Sequence, residues 1–238
     1  MKGSRSSSGR LGWAGAFGLL GLVLLLAGSY IGLFVAPSER FMGEVQRIMY
    51  VHVPSAWTAL LCFTAAFGFA IASLWGGRPR WDAALVGAVE IGVLLNALVL
   101  VQGMIWGRAT WGVWWDWDVR LTTTLIMLLL FTGVLALRGF IDEPRRRATW
   151  SAIAVIVSYV DVPLVYLCVR WWRSLHQIQS TPDTVHPLMV LPLRLCAFGM
   201  IFLAVWMIVR RARIELARRS REAVAPPDRL PTLQENAS

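Results

Sequence analysis

The chain has 238 residues, of which 57% are hydrophobic and only 16% charged, with a formal net charge of +9. Soluble globular domains run nearer roughly 45–50% apolar and about 25% charged, so the composition excludes an ordinary soluble domain. The excess of arginine raises nucleic acid as a partner, but the positions of the basic residues point to membrane topology instead.

Residues 1–10 form a polar, serine-rich lead carrying Lys2, Arg5 and Arg10. Residues 11–38 then contain no Asp, Glu, Lys, Arg or His. A basic head before an apolar run is also the pattern of a signal peptide. Here the run is too long for an h-region and lacks a small-residue cleavage site, so it reads as a retained first helix. Uncharged runs recur at 53–77 and 121–137. The runs 83–107, 148–169 and 187–209 hold one ionisable residue each, Glu90, Asp161 and Arg194. A helix needs roughly 20 apolar residues to cross the hydrocarbon layer. The expected fold is therefore all-α, a polytopic membrane protein with six transmembrane helices in residues 11–210. GRPR at 77–80 and GFIDEPRRR at 139–147 read as short inner loops. Residues 211–238 read as a cytoplasmic tail, starting as the basic helical stretch ARIELARRSREA. The tail ends as VAPPDRLPTLQENAS, whose prolines and polar residues favour disorder.

With the N-terminus inside, the inner face collects Lys2, Arg5, Arg10, Arg78, Arg80, Arg138, Arg145, Arg146, Arg147 and the arginines from 210 onward. The outer face keeps Arg40, Arg47, Arg108, Arg120, Arg170 and Arg173. This is the positive-inside pattern, and it places both termini in the cytoplasm. Cys62, Cys168 and Cys196 fall inside predicted helices with no CxxC spacing. They read as buried free thiols, which excludes a cysteine-based thiol oxidoreductase.

Segments 37–52, 107–120 and 170–186 follow the first, third and fifth helices, so they share one face in either orientation. They contain or border all three histidines, His52, His176 and His186. Pro54, just after His52, suits the first turn of the second helix. Five of the thirteen tryptophans lie within residues 106–117. If 111–118 is helical, Trp111, Trp114, Trp115 and Asp118 form one stripe. If it is extended, Trp111, Trp115 and Trp117 share a face. Spacing leaves both open, while Gly107 and Gly112 give the backbone room to turn. Loop histidines are often solvated or capping, and interfacial tryptophans are often anchors, but an anchoring belt would spread over both membrane faces. A flat apolar ring wants indoles, an iron wants axial imidazoles, and carboxylate arms want arginine. Arg47, Arg108, Arg120 and Arg173 lie on the same face, and haem fits this inventory.

WGRATWGVWWDWDVRLT resembles the tryptophan-rich WWD motif of haem-handling membrane proteins in cytochrome c maturation. RIMYVHVPSAW and WWRSLHQ resemble the two histidine segments flanking that motif in the CcmC family, in the same order. The resemblance covers about residues 11–210. It implies that His52 and His176 are axial ligands of haem b, bound as cargo. It also implies that Trp106, Gly107, Trp111, Gly112, Trp114, Trp115, Trp117 and Asp118 form the haem platform, with Arg47, Arg108 and Arg120 available to propionates. It further implies a bacterial inner-membrane protein with its site on the periplasmic face. The partners implied are the haem chaperone CcmE, the ATP-driven pair CcmA and CcmB, and the small helper CcmD. His186 has no counterpart in the family pattern.

A transporter permease subunit is the alternative, supported only by Glu90, Asp161 and Gln102 along the spans. The two acids otherwise read as structural, hydrogen-bonded to a neighbouring helix through Asn96 or Ser158. A membrane cytochrome b would place paired histidines inside the helices. Arg194 lies near the outer end of the last helix, within reach of a carboxylate. The motif set holds no evident general base or nucleophile, so a chaperone-loading component fits better than a classical enzyme.

Overall fold

The computed structural model describes residues 12–176 and 186–224. The helices are α1 (Trp13–Tyr30), α2 (Met49–Gly76), α3 (Pro79–Trp111), α4 (Val119–Gly139), α5 (Pro144–Ser158), α6 (Asp161–Trp171) and α7 (Pro187–Val224). A π-helical turn, Ile31–Val35, extends α1, and a 3₁₀ turn, Glu44–Ile48, leads into α2. Six segments are long and apolar enough to span a membrane, with α5 and α6 counting together as one. No strand occurs among the described residues, only an isolated bridge between Glu39 and Gly43. The all-α six-span expectation holds.

Local chemistry accounts for the boundaries. Gly77 (φ 56°) ends α2 in the left-handed conformation that suits glycine, and Pro79 starts α3 where a missing N–H costs nothing. The Glu143 carboxylate caps α5 by accepting from the N–H groups of Arg145 (2.9 Å) and Arg146 (3.0 Å). Two points differ from the sequence reading. The fifth span breaks at Tyr159–Val160, because Pro163 has no N–H to donate to Tyr159 and its ring crowds that carbonyl. The second helix begins earlier than the uncharged run suggests, because the 3₁₀ turn winds directly into it. Pro54 therefore lies inside α2, and His52 is in its first turn rather than in a loop.

The main core lies between α2, α3, α4, α5 and α6, around Phe63 and Phe131, whose rings stack at 3.8 Å. Gly92 makes room for Phe63, whose ring would lie 2.6 Å from a Cβ placed there. α1 lies on α7 through a glycine seam, where a Cβ on Gly21 would be 2.8 Å from the Gly199 carbonyl. Small residues let backbones approach in this way where no hydrophobic force separates helix from lipid. α7 continues unbroken through the basic stretch at 211–224, whereas the tail beyond Val224 lies outside the described residues.

Glu90 is not hydrogen-bonded through Asn96 or Ser158. Its carboxylate accepts from Arg211 Nε (2.6 Å) and Nη2 (2.8 Å) on α7, and Asn96 donates instead to the Thr124 carbonyl (3.2 Å).

Candidate functional site

The end of the bundle where α3 finishes and α2 and α4 begin carries a cleft of about 170 Å³. Its walls are mostly apolar, and each helix presents a periodic stripe to it. From α2 come Val53, Ala56, Trp57 and Leu60, spaced i, i+3, i+4 and i+7. From α3 come Asn96, Leu100, Gly103 and Gly107, deepening the cleft by three turns. Apolar walls with a few placed polar groups are the usual form of a small-molecule site.

His52 reaches the cleft from the first turn of α2 and is only 7% exposed. Gly103 on α3 faces it, and a Cβ there would lie 3.3 Å from His52 Cε1. His176 comes from the segment after α6, and the two imidazole centroids are 6.5 Å apart with planes inclined by 30°. Trp106 meets His52 edge-on at 5.5 Å, and Trp111 meets His176 at 6.4 Å. The two histidine segments and the tryptophan segment thus converge on one cleft.

The tryptophan segment is neither one helix nor one strand. α3 runs through Trp111 and stops at Gly112, whose φ of 79° turns the chain out of the helix. Residues 113–118 then cross to α4. Asp118 closes this crossing, with Oδ1 accepting from Arg120 N (2.8 Å) and Oδ2 from Leu175 N (2.9 Å). One carboxylate therefore caps α4 and ties the segment carrying His176 to it. Ser174 Oγ accepts from His176 N (3.0 Å) and shapes the same turn.

Trp106, Gly107, Trp111, Trp115 and Arg120 line the cleft with the two histidines. Gly107 backs the Trp111 indole, which a Cβ would approach to 3.1 Å. Several buried polar atoms here have no hydrogen-bond partner among the described residues: His52 Nδ1, Trp106 Nε1, Trp115 Nε1 and Arg120 Nη1. Buried polar groups are normally satisfied, so such a cluster marks a place built for a guest rather than for packing.

Other expected site residues serve elsewhere. Arg47 Nη1 donates to the carbonyls of Gly32 (2.5 Å) and Ala36 (3.1 Å), closing the end of α1, and its Nε pairs with Glu44. Arg108 donates to the Gly112 carbonyl and seals the end of α3. Trp114 and Trp117 are 57% and 74% exposed and lie outside the cleft lining. His186 Nδ1 accepts from Leu188 N (3.3 Å) at the start of α7, and Arg194 is exposed. Trp57 and Tyr166 line the cleft without having been singled out, and Asn96, expected only as a partner for an intramembrane acid, lines it as well. The stripe that includes Trp57 follows His52 at helical spacing, a signal that the loop assignment of His52 hid.

A family model for CcmC, heme exporter protein C, matches residues 7–225. A Haemophilus influenzae protein called Heme exporter protein C is 38% identical over 208 residues, covering 85% of this chain and 84% of that protein. An Escherichia coli protein of the same name is 33% identical over 194 residues, covering 81% and 79%. A Marchantia polymorpha protein called a putative cytochrome c biosynthesis ccmC-like mitochondrial protein is 33% identical over 177 residues, covering 73% and 75%. With six membrane-spanning segments and a match over nearly its whole length, the chain belongs to the heme exporter protein C family.

Proposed function

We propose that this chain serves haem export in c-type cytochrome maturation, holding haem b as cargo between His52 and His176. The observation that carries the reading is the pair of imidazoles brought within 6.5 Å of each other in an indole-walled cleft. Imidazole nitrogens bind first-row metals at roughly 2.0–2.1 Å, which separates the centroids of two rings on opposite sides of one metal by about 6 Å. The observed separation of 6.5 Å is close to that value. Apolar walls suit the porphyrin, and the buried Arg120 guanidinium, with Nη1 unpartnered, suits a propionate. The three cysteines are buried in helices, so the ring is held by ligation and packing rather than by thioether bonds.

The two ligands differ in mounting. His52 is fixed on a helix turn, whereas His176 hangs on a short segment anchored through Asp118. Release then proceeds by exchange of His176 for a ligand on the acceptor, with His52 keeping its place. The acceptor in this reading is CcmE, docking at the periplasmic face of a bacterial inner membrane, with CcmA, CcmB and CcmD as the remaining members of the export system. The positive-inside distribution supports that orientation, with both termini cytoplasmic.

A permease conduit draws no support from Glu90, which Arg211 neutralises in a bidentate pair. The test is the absorption spectrum and haem content of purified protein, with haem transfer to CcmE measured alongside. Wild type gives a six-coordinate bis-histidine spectrum, His176→Ala a five-coordinate one, and His52→Ala loses most of the haem. Unchanged content, spectrum and transfer in both variants would overturn the ligand assignment.

A further inference from the structure

The opposite end of the bundle carries a second cavity, of about 230 Å³, between α3, α4, α7 and the first turn of α5. It is open on one side and has room for more than a single water, which needs about 10–15 Å³. Its lining sets four arginines, Arg138, Arg147, Arg211 and Arg218, against two glutamates, Glu90 and Glu215. Val86, Leu135 and Gly139 supply an apolar side.

The arginines are held in place by other partners. Arg138 donates to both carboxylate oxygens of Asp82 (2.8 and 3.0 Å) and to Ser151 Oγ (2.9 Å). Arg211 is held by Glu90 and reaches Glu215 at 3.4 Å, and Arg218 reaches Glu215 at 3.0 Å. Both lining carboxylates are thus engaged within the network. Arg147 lines the cavity with no ion pair among the described residues. Each guanidinium carries five N–H donors, so Arg138 and Arg211 keep donors beyond those their pairs use. The excess of two positive charges, fixed in position beside an apolar wall, suits an anion with an apolar body attached.

We propose that this cavity binds the phosphate of an anionic phospholipid from the inner leaflet, and that the lipid is a structural ligand of the bundle. The cavity lies at the ends of three spans, where α4 stops at Gly139 and α7 leaves the apolar run, which is headgroup depth. The exposed Phe140 beside it belongs at the same interface. Basic pockets between helices on this side of a membrane are a recurrent way of holding such headgroups. The proposal does not depend on the haem reading.

The test uses the full chain in phosphatidylcholine nanodiscs with increasing phosphatidylglycerol, reading the midpoint of thermal unfolding. Wild type gains stability as phosphatidylglycerol rises, and Arg147→Ala, which breaks no ion pair, loses at least half of that gain. Arg40→Ala, an exposed arginine at the other end, keeps the gain. The proposal falls if Arg147→Ala retains the full gain, or if Arg40→Ala loses as much. It also falls if millimolar inorganic phosphate in pure phosphatidylcholine discs reproduces the gain, which would make this a site for free phosphate.

Discussion

At the end where α3 begins and α4 finishes, Asp82 receives both Arg138 and Arg219, while Glu215 is shared by Arg211, Arg218 and Arg219. At the other end, His52 Nδ1, Arg120 Nη1 and two indole N–H groups are buried with no partner among the described residues. Both ends bury polar groups, but only the first satisfies them from within the chain. The pairs around Asp82 and Glu215 stabilise the bundle from within the chain and leave Arg147 at their margin for a ligand, whereas the other end keeps its buried donors for something that arrives later. The difference separates structure from function more sharply than charge does, since the charged end is the structural one.

The largest expected effect comes from breaking the ion-paired end. Asp82→Ala leaves Arg138 buried without its carboxylate and removes one partner of Arg219. Removing one member of a buried pair costs about 3–5 kcal/mol. The double variant Asp82→Leu with Arg138→Met is expected to recover much of that loss, because no uncompensated charge remains at Arg138. Thermal unfolding in detergent checks both. The folded fraction should keep the haem spectrum of wild type, and a changed spectrum would show that the two ends are coupled.

The open end predicts the reverse pattern. Arg120→Gln removes a guanidinium whose Nη1 makes no hydrogen bond among the described residues, so stability should change little. Hydrogen bonds to charged groups are worth about 1.5–3 kcal/mol, so haem retention should fall roughly ten- to hundredfold. Equilibrium haem titration measures the fall. A marked loss of fold stability without loss of haem would place Arg120 with the structural arginines instead.

The sequence made one end easier to read than the other. Apolar runs with at most one ionisable residue each located all six spans, and chain parity alone brought His52, the tryptophan segment and His176 to a common face. The ion-pair network was out of reach, because Glu90 and Arg211 are 121 residues apart and neither sits in a recognisable motif. The break in the fifth span was signalled by Pro163, but an apolar run reads the same with or without a break. Arg47 and Arg108 have the charge that a propionate needs, yet each is satisfied by carbonyls at a helix end, which spacing cannot reveal. The tryptophans divide for a related reason. Helical and extended readings both assumed one periodicity through 111–118, and Gly112 breaks it.

That division yields the smallest expected effect. Trp115 lines the cleft with its Nε1 buried, while Trp117 touches it edge-on at 5.6 Å from the outside and is 74% exposed. Substitutions at exposed positions usually stay within about 0.5 kcal/mol. Trp117→Phe should therefore leave unfolding and haem content near wild type, because the aromatic edge against Trp115 is kept. Trp115→Phe should lower haem content and shift its spectrum, because the indole N–H inside the cleft is lost. Both are read from the same haem assay. If Trp117→Phe lowers haem content as far as Trp115→Phe does, the exposed indole folds onto the ring when haem binds. The open end would then be a closing surface rather than a preformed cleft.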